Sequence, residues 1–116
     1  MINITFVCFG KNFYEFHSEG HSTLNPGNDI VCAGVSALSY ALLGTLMNIK
    51  DLKVDKEIKD GNMHIYVKSD TKAVHSIANT VFTTIFIGLK QLEVTYPENV
   101  KVNIMSEATV SKESSK

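Results

Sequence analysis

Gly20-His21-Ser22-Thr23-Leu24-Asn25-Pro26-Gly27-Asn28-Asp29-Ile30-Val31-Cys32-Ala33-Gly34-Val35-Ser36 changes character in its middle. Asn25, Pro26, Gly27 and Asn28 are turn formers, and an apolar run then continues to Ile49, so the pattern predicts a loop entering a helix from Ile30 to about Asn48. Asp29, one residue before the run, is the expected N-cap, its side-chain oxygen accepting from a free N–H of the first turn. Cys32 then falls at the third helical position, near the unpaired N–H groups and the positive end of the helix dipole, where a thiolate is favoured over a thiol. His21 lies upstream on a loop long enough to fold back over the helix end and exchange a proton. A carboxylate beside the thiol would oppose its ionisation, so Asp29 assists only by pointing at His21. These are the pieces of a cysteine hydrolase; a packed core thiol, a turn histidine and a plain helix cap account for the same residues without chemistry.

Upstream, Met1 to Phe9 alternates with period two, and Gly10-Lys11-Asn12 supplies a turn into a return strand from Phe13 to Glu19. That opening hairpin delivers the chain to Gly20, which permits a sharp change of direction, and sets His21 at the end of a strand. His17 falls on the polar face of this strand and Cys8 on an apolar face, so both read as structural. Within the first helix, Val31, Val35, Leu38, Leu42 and Ile49 form an apolar stripe widened by Leu43 and Leu46. Ala33, Gly34, Ala37, Ala41 and Gly44 leave a second face nearly bare, suited to close approach of a sheet or helix. Ser36 and Ser39 continue the Cys32 face, as groove-lining residues or as ordinary polar residues beneath a loop.

Downstream, Asp51 to Asp60 predicts a weak edge strand, Asp60-Gly61-Asn62 a turn, and Met63 to Lys68 a strand that leaves His64 exposed. Ser69-Asp70 is the expected cap of a second helix from Thr71 to about Glu93, whose stripe runs Val74, Ile77, Ala78, Val81, Phe82, Ile85, Leu89, Leu92. Phe86 and Ile87 fall off that stripe, as a patch for a second subunit or as ordinary exposed residues. Val100, Val102 and Ile104 make a last strand. The expectation is one domain over residues 1–105 and a disordered tail over 106–116.

The fold class that follows is α+β, a small mixed β-sheet with two main helices in the order β-β-α-(β-β)-α-β, with helices on one face or on both. At 116 residues, 44% hydrophobic and 20% charged, with a formal charge of -1, the chain has the composition of a soluble domain and no field to draw in nucleic acid. Two distant cysteines and four scattered histidines form no disulfide framework and no close-spaced ligand pair, so neither metal nor cofactor is expected. Without a signal-type apolar run at the start, the expected location is cytoplasmic, with no membrane partner.

Gly20-His21-Ser22, a short variable loop, and Gly27-Asn28-Asp29-Ile30-Val31-Cys32-Ala33-Gly34-Val35-Ser36-Ala37-Leu38 resemble the signature of the bacterial ribosomal-processing cysteine proteases, the Prp family. The resemblance covers roughly residues 1–105, with Ser22 standing where alanine is more usual. It implies a small cytoplasmic endopeptidase, homodimeric, that removes a short N-terminal extension from ribosomal protein twenty-seven of the large subunit after a pair of bulky, commonly aromatic residues. By position it makes Cys32 the nucleophile, His21 the general base and acid, and Asp29 the acidic partner. Gly20, Ser22, Ala33 and Ser36 are then candidate substrate-binding or oxyanion residues, the N–H groups of Cys32 or Ala33 serving as donors. The rival reading is a non-catalytic dimeric module that grips a peptide or a ribosomal protein.

Overall fold

Ile2, Ile4 and Phe6 turn to one side of the first strand and Asn3 and Thr5 to the other, and that alternation sets the whole domain. The computed structural model describes residues 1–20, 26–59 and 61–107, with backbone alone for 26–29. The elements are β1 (Ile2–Phe9), β2 (Asn12–Glu19), α1 (Pro26–Met47), β3 (Lys53–Lys59), β4 (Asn62–Lys68), α2 (Lys72–Thr95) and β5 (Val100–Ser106). They form one five-stranded sheet in the order β3-β4-β2-β1-β5, antiparallel except for the parallel pair β1 and β5. The sheet is mixed and the class is α+β, as the sequence implies.

Both helices lie on the same face. Buried strand residues have one parity in β2, β4 and β5 (Phe16 and Ser18; Met63, Ile65 and Val67; Val100 and Val102), and the apolar ones join Val31, Val35, Leu42, Leu46, Phe82 and Leu89 in one core. Of the two layer arrangements open to the sequence, this is the two-layer sandwich. At its centre Phe6 is fully buried and meets Phe13, Phe16 and Phe86 edge-on, with centroids 5.5, 5.1 and 5.3 Å away. Phe86 therefore completes the core edge rather than an outward patch; Ile87 remains 53% exposed.

A β-bulge between Val7 and Cys8 breaks the alternation of β1. Near it, the Phe13 N–H donates to Asn79 Oδ1 at 2.7 Å, tying the hairpin to α2. α2 is capped by Thr71, whose Oγ1 accepts from the Val74 N–H at 3.2 Å, two residues later than the Ser69-Asp70 cap the sequence predicts at its earliest. Ile77, expected on the buried stripe, is 52% exposed.

The bare face of α1 is only partly used. A Cβ on Gly34 would lie 3.0 Å from Leu92 Cδ1, and one on Gly88 3.2 Å from Leu38 Cδ1, so the two helices approach closely there. Ala33, Ala37, Ala41 and Gly44 are exposed. By length and composition Ile30–Met47 could also cross a bilayer, yet its inner stripe of Val31, Val35, Leu42, Leu43 and Leu46 is buried in the domain core.

The last strand runs one residue into the expected tail, through Ser106. Glu107 follows, its N–H donating to the Cys8 carbonyl at 2.9 Å and its carboxylate accepting from the Tyr14 hydroxyl. The remainder of the expected tail, 108–116, lies outside the described residues.

Candidate active site

α1 begins four residues earlier than the turn formers suggest. Proline at the first helical position costs nothing, because its missing N–H would be unpaired there and its φ is already helical. Asp29 is therefore inside the first turn and not its cap, and Cys32 is in the second turn. The N–H groups of Cys32 and Ala33 lie beyond the four free donors of a helix start, so the first-turn argument for a thiolate and for oxyanion donors does not hold for them.

Cys32 is a free, half-buried thiol that lines a cavity of about 240 Å³ where the hairpin, the helix and the start of β4 meet. Ser36 and Ser39 join it because residues four and seven apart share one helix face. Gly20 and Ser18 from β2, Ile2 from β1, and Asn62 and Met63 from β4 close the other sides. The lining contains no charged side chain among the described residues. Three predicted site residues, Gly20, Cys32 and Ser36, are thus brought together. Ala33 is exposed and does not line the cavity. His21 and Ser22 lie outside the described residues, as does the side chain of Asp29.

Gly20 sets the course of the chain toward His21. Its φ of +109° belongs to glycine, and a Cβ there would sit on the Met1 carbonyl oxygen and 3.3 Å from Ile2 Cα. Its N–H donates to Asn62 Oδ1 at 3.3 Å, so the end of β2 is held against β4 beside the cavity. Asn62 and Met63 were not singled out as site residues in the sequence. Their arrival depends on β2 pairing with β4, a neighbour relation that spacing along the chain does not reveal.

The three described histidines have other employment. His64, expected to be exposed, is half-buried and pairs with Glu15, and its ring lies 5.4 Å from that of His17 on the sheet face turned away from the helices. His75 Nε2 lies 3.0 Å from the Ser69 carbonyl oxygen, beside a larger cavity of about 480 Å³ that Phe9, Tyr14, Tyr66 and Lys68 also line. That cavity has no cysteine in its wall. Cys8, the other free thiol, is six residues along β1 from Ile2, roughly 20 Å from the smaller cavity at strand rise. Among the described residues no group of three or more His, Cys, Asp or Glu could hold a metal ion.

A thiol beside a cavity with no charged side chain among the described residues, with the chain leaving that cavity's edge directly into a histidine, is the arrangement of a cysteine-dependent hydrolase. Residues 1–101 match the family model for Cysteine protease Prp, and the chain belongs to that family of ribosomal-processing cysteine proteases. It is similar to the ribosomal processing cysteine protease Prp of Staphylococcus aureus, 30% identical over 87 residues that span 73% of this chain and 80% of that one. Among solved structures, a Streptococcus mutans protein is 30% identical with a TM-score of 0.80, over 91% of this chain and 95% of its own. The S. aureus protease with a covalently linked product peptide is 26% identical with a TM-score of 0.76, over 90% of this chain and 99% of its own.

Proposed function

We propose that this cysteine protease removes a short N-terminal extension from ribosomal protein twenty-seven of the large subunit, cutting after a pair of bulky residues. The observation that carries the reading is the placement of Cys32 in a cavity bounded by Gly20, the residue immediately before His21. A wall with no charged side chain among the described residues suits bulky apolar side chains, and the lost first-turn position of Cys32 shifts the work of ionising the thiol to the imidazole of His21.

In this scheme His21 takes the Cys32 proton and the thiolate attacks the scissile carbonyl carbon, forming a C–S bond. The tetrahedral intermediate collapses with cleavage of the C–N bond, and the imidazolium protonates the departing amine. Water deprotonated by His21 then attacks the thioester, and Cys32 leaves as thiolate. Asp29 serves by orienting the imidazole.

The protein acts in the cytoplasm as a homodimer. Supporting the second point, Ile30, Tyr40 and Met47 are 61%, 53% and 53% exposed on α1 beside the exposed Ala33, Ala37, Ala41 and Gly44, a face that lets a second copy approach closely. Light scattering of wild type and Met47→Glu tests it, a dimer falling to monomer being the expected result.

The main test offers a peptide spanning the extension and the mature start to wild type, Cys32→Ser and His21→Ala, with products read by mass spectrometry. One cut by wild type and a loss of about 10³-fold or more in each variant are expected. Wild type whose Cys32 alkylates readily but which leaves the peptide intact removes this substrate.

A further inference from the structure

The larger cavity, about 480 Å³, lies at the end of the sheet away from Cys32, where the β1–β2 turn meets the connection from β4 to α2. Phe9 in its wall is seven residues along β1 from Ile2, about 23 Å at strand rise, and the two cavities share no lining residue. Its volume falls within the ~300–1,000 Å³ of small-molecule sites. Peptide cleavage leaves it without a use.

Two of its aromatic walls stand open to solvent, Phe9 at 53% and Tyr66 at 38% exposure. Tyr66 meets Tyr14 edge-on, with centroids 5.5 Å apart and planes at 88°, and the Tyr14 hydroxyl is anchored to Glu107. An edge-on pair covers one ring face between its two members, so whichever ring supplies the edge, each keeps a face outside the pair. Braced rings with a face to spare make a platform on which a flat heteroaromatic base stacks.

Beside the rings the charge is positive and unpaired. Lys68 lies two residues beyond Tyr66 on the same face of β4, and Lys53 stands directly opposite it in the β3–β4 register. Like charges so placed repel, and neither lysine is in an ion pair among the described residues. The lining holds no carboxylate among the described residues. Nearby, Glu15 is engaged by His64 and Glu107 by Tyr14, and Asp55, opposite Tyr66, pairs with neither lysine. A phosphate dianion set between the two ammonium groups turns this repulsion into attraction. The step from Tyr66 to Lys68, about 7 Å along the strand, matches the separation of base and 5′-phosphate in a nucleotide. Asn12 adds a carboxamide to the wall, a donor and an acceptor side by side, which is the group that reads the edge of an adenine.

We infer that this cavity binds a single adenine nucleotide, its base on Tyr66 and Phe9 and against Asn12, its phosphate at Lys68 and Lys53. A formal charge of -1 supplies no field for a longer strand, so one nucleotide is the occupant.

Titration calorimetry at low salt tests it, with adenosine monophosphate, adenosine, phenyl phosphate and a six-residue oligoadenylate as probes. Tyr66→Leu and Phe9→Leu should each weaken the monophosphate and adenosine by about five- to a hundredfold, the loss of one stacked face. Lys68→Ala should weaken the monophosphate about tenfold or more and leave adenosine unchanged. Because Lys68 is exposed, this variant keeps the test decisive should a ring variant not fold. No binding of the monophosphate at millimolar concentration, or binding unaltered by Lys68→Ala, overturns the inference. So does phenyl phosphate bound as tightly as the monophosphate, which would leave no base to be read, or an oligoadenylate bound more than about tenfold tighter, which would make the site a strand-binding one. Cys32 plays no part in the measurement, so the result stands whether or not the extension peptide is cut.

Discussion

Replacing Gly20 with alanine tests whether the backbone at the cavity rim aims His21. Alanine at φ +109° carries strain of roughly 1–3 kcal/mol. Its Cβ would also lie well inside the 3.0 Å that Cβ atoms essentially never violate, and the obstacle is the Met1 carbonyl, backbone that cannot swing aside like a side-chain tip. Overpacking of this kind costs a further 1–3 kcal/mol or so, for a total of about 2–6 against a domain stability of order 5–15. The strand end must move by about 1 Å to relieve the contact, and a misplacement of that size can cost 10²-fold in catalysis. Gly10→Ala is the control: its φ of +64° imposes left-handed strain alone, since nothing lies within 4 Å of the added Cβ. It should lose about 1 kcal/mol and no activity. Urea midpoints and kcat/KM on the extension peptide measure both effects. A Gly20→Ala protein within about threefold of wild-type activity, with the midpoint of Gly10→Ala, would refute the reasoning.

Other expectations concern packing and pH. In the Met47→Glu background, where the α1 face is free of a second copy, Gly44→Ala, with open space around the new Cβ, should raise stability by about 0.5–1 kcal/mol through helix propensity, whereas Gly34→Ala presses on Leu92 and should give no gain or a loss; thermal melts showing equal gains would contradict the close helix approach. Burial first, and then the bond to Glu107, push the Tyr14 hydroxyl well above its usual pKa, so stability is complete below about pH 10 and declines as pH rises beyond it. Tyr14→Phe should flatten that alkaline decline in urea titrations. Glu93 is held below the ordinary carboxylate range, first by Lys90, whose Nζ is 2.7 Å away, and then by the Val102 N–H at 2.9 Å. Its contribution is present above about pH 4.3 and is lost as pH falls below that, so Glu93→Gln should make the acid limb shallower.

Much of this was legible in the residues because it depends on neighbours in sequence. The parity of Ile2, Ile4 and Phe6, the spacing of Ala78, Phe82, Ile85 and Leu89, and the Gly20-to-Leu38 signature are local patterns, and the element order followed from them. Phe86 belongs to the same pattern, one turn beyond Phe82, and falls outside it only where the buried arc is taken too narrowly. Pro26 was ambiguous by chemistry: the same locked φ starts turns and helices alike. The pairing of His64 with Glu15 and the arrival of Asn62 beside Gly20 needed the β2–β4 register, which no local pattern carries.

Ile2 stands in the wall beside Cys32, and its N–H donates to the Asn99 carbonyl at 2.8 Å while its strand is flanked by β5. Strand β1 therefore reaches its final seat only after β5 has been made. A nascent chain lacks a finished cleavage chamber, so its competence to cut arrives with the closing strand and not with the nucleophile.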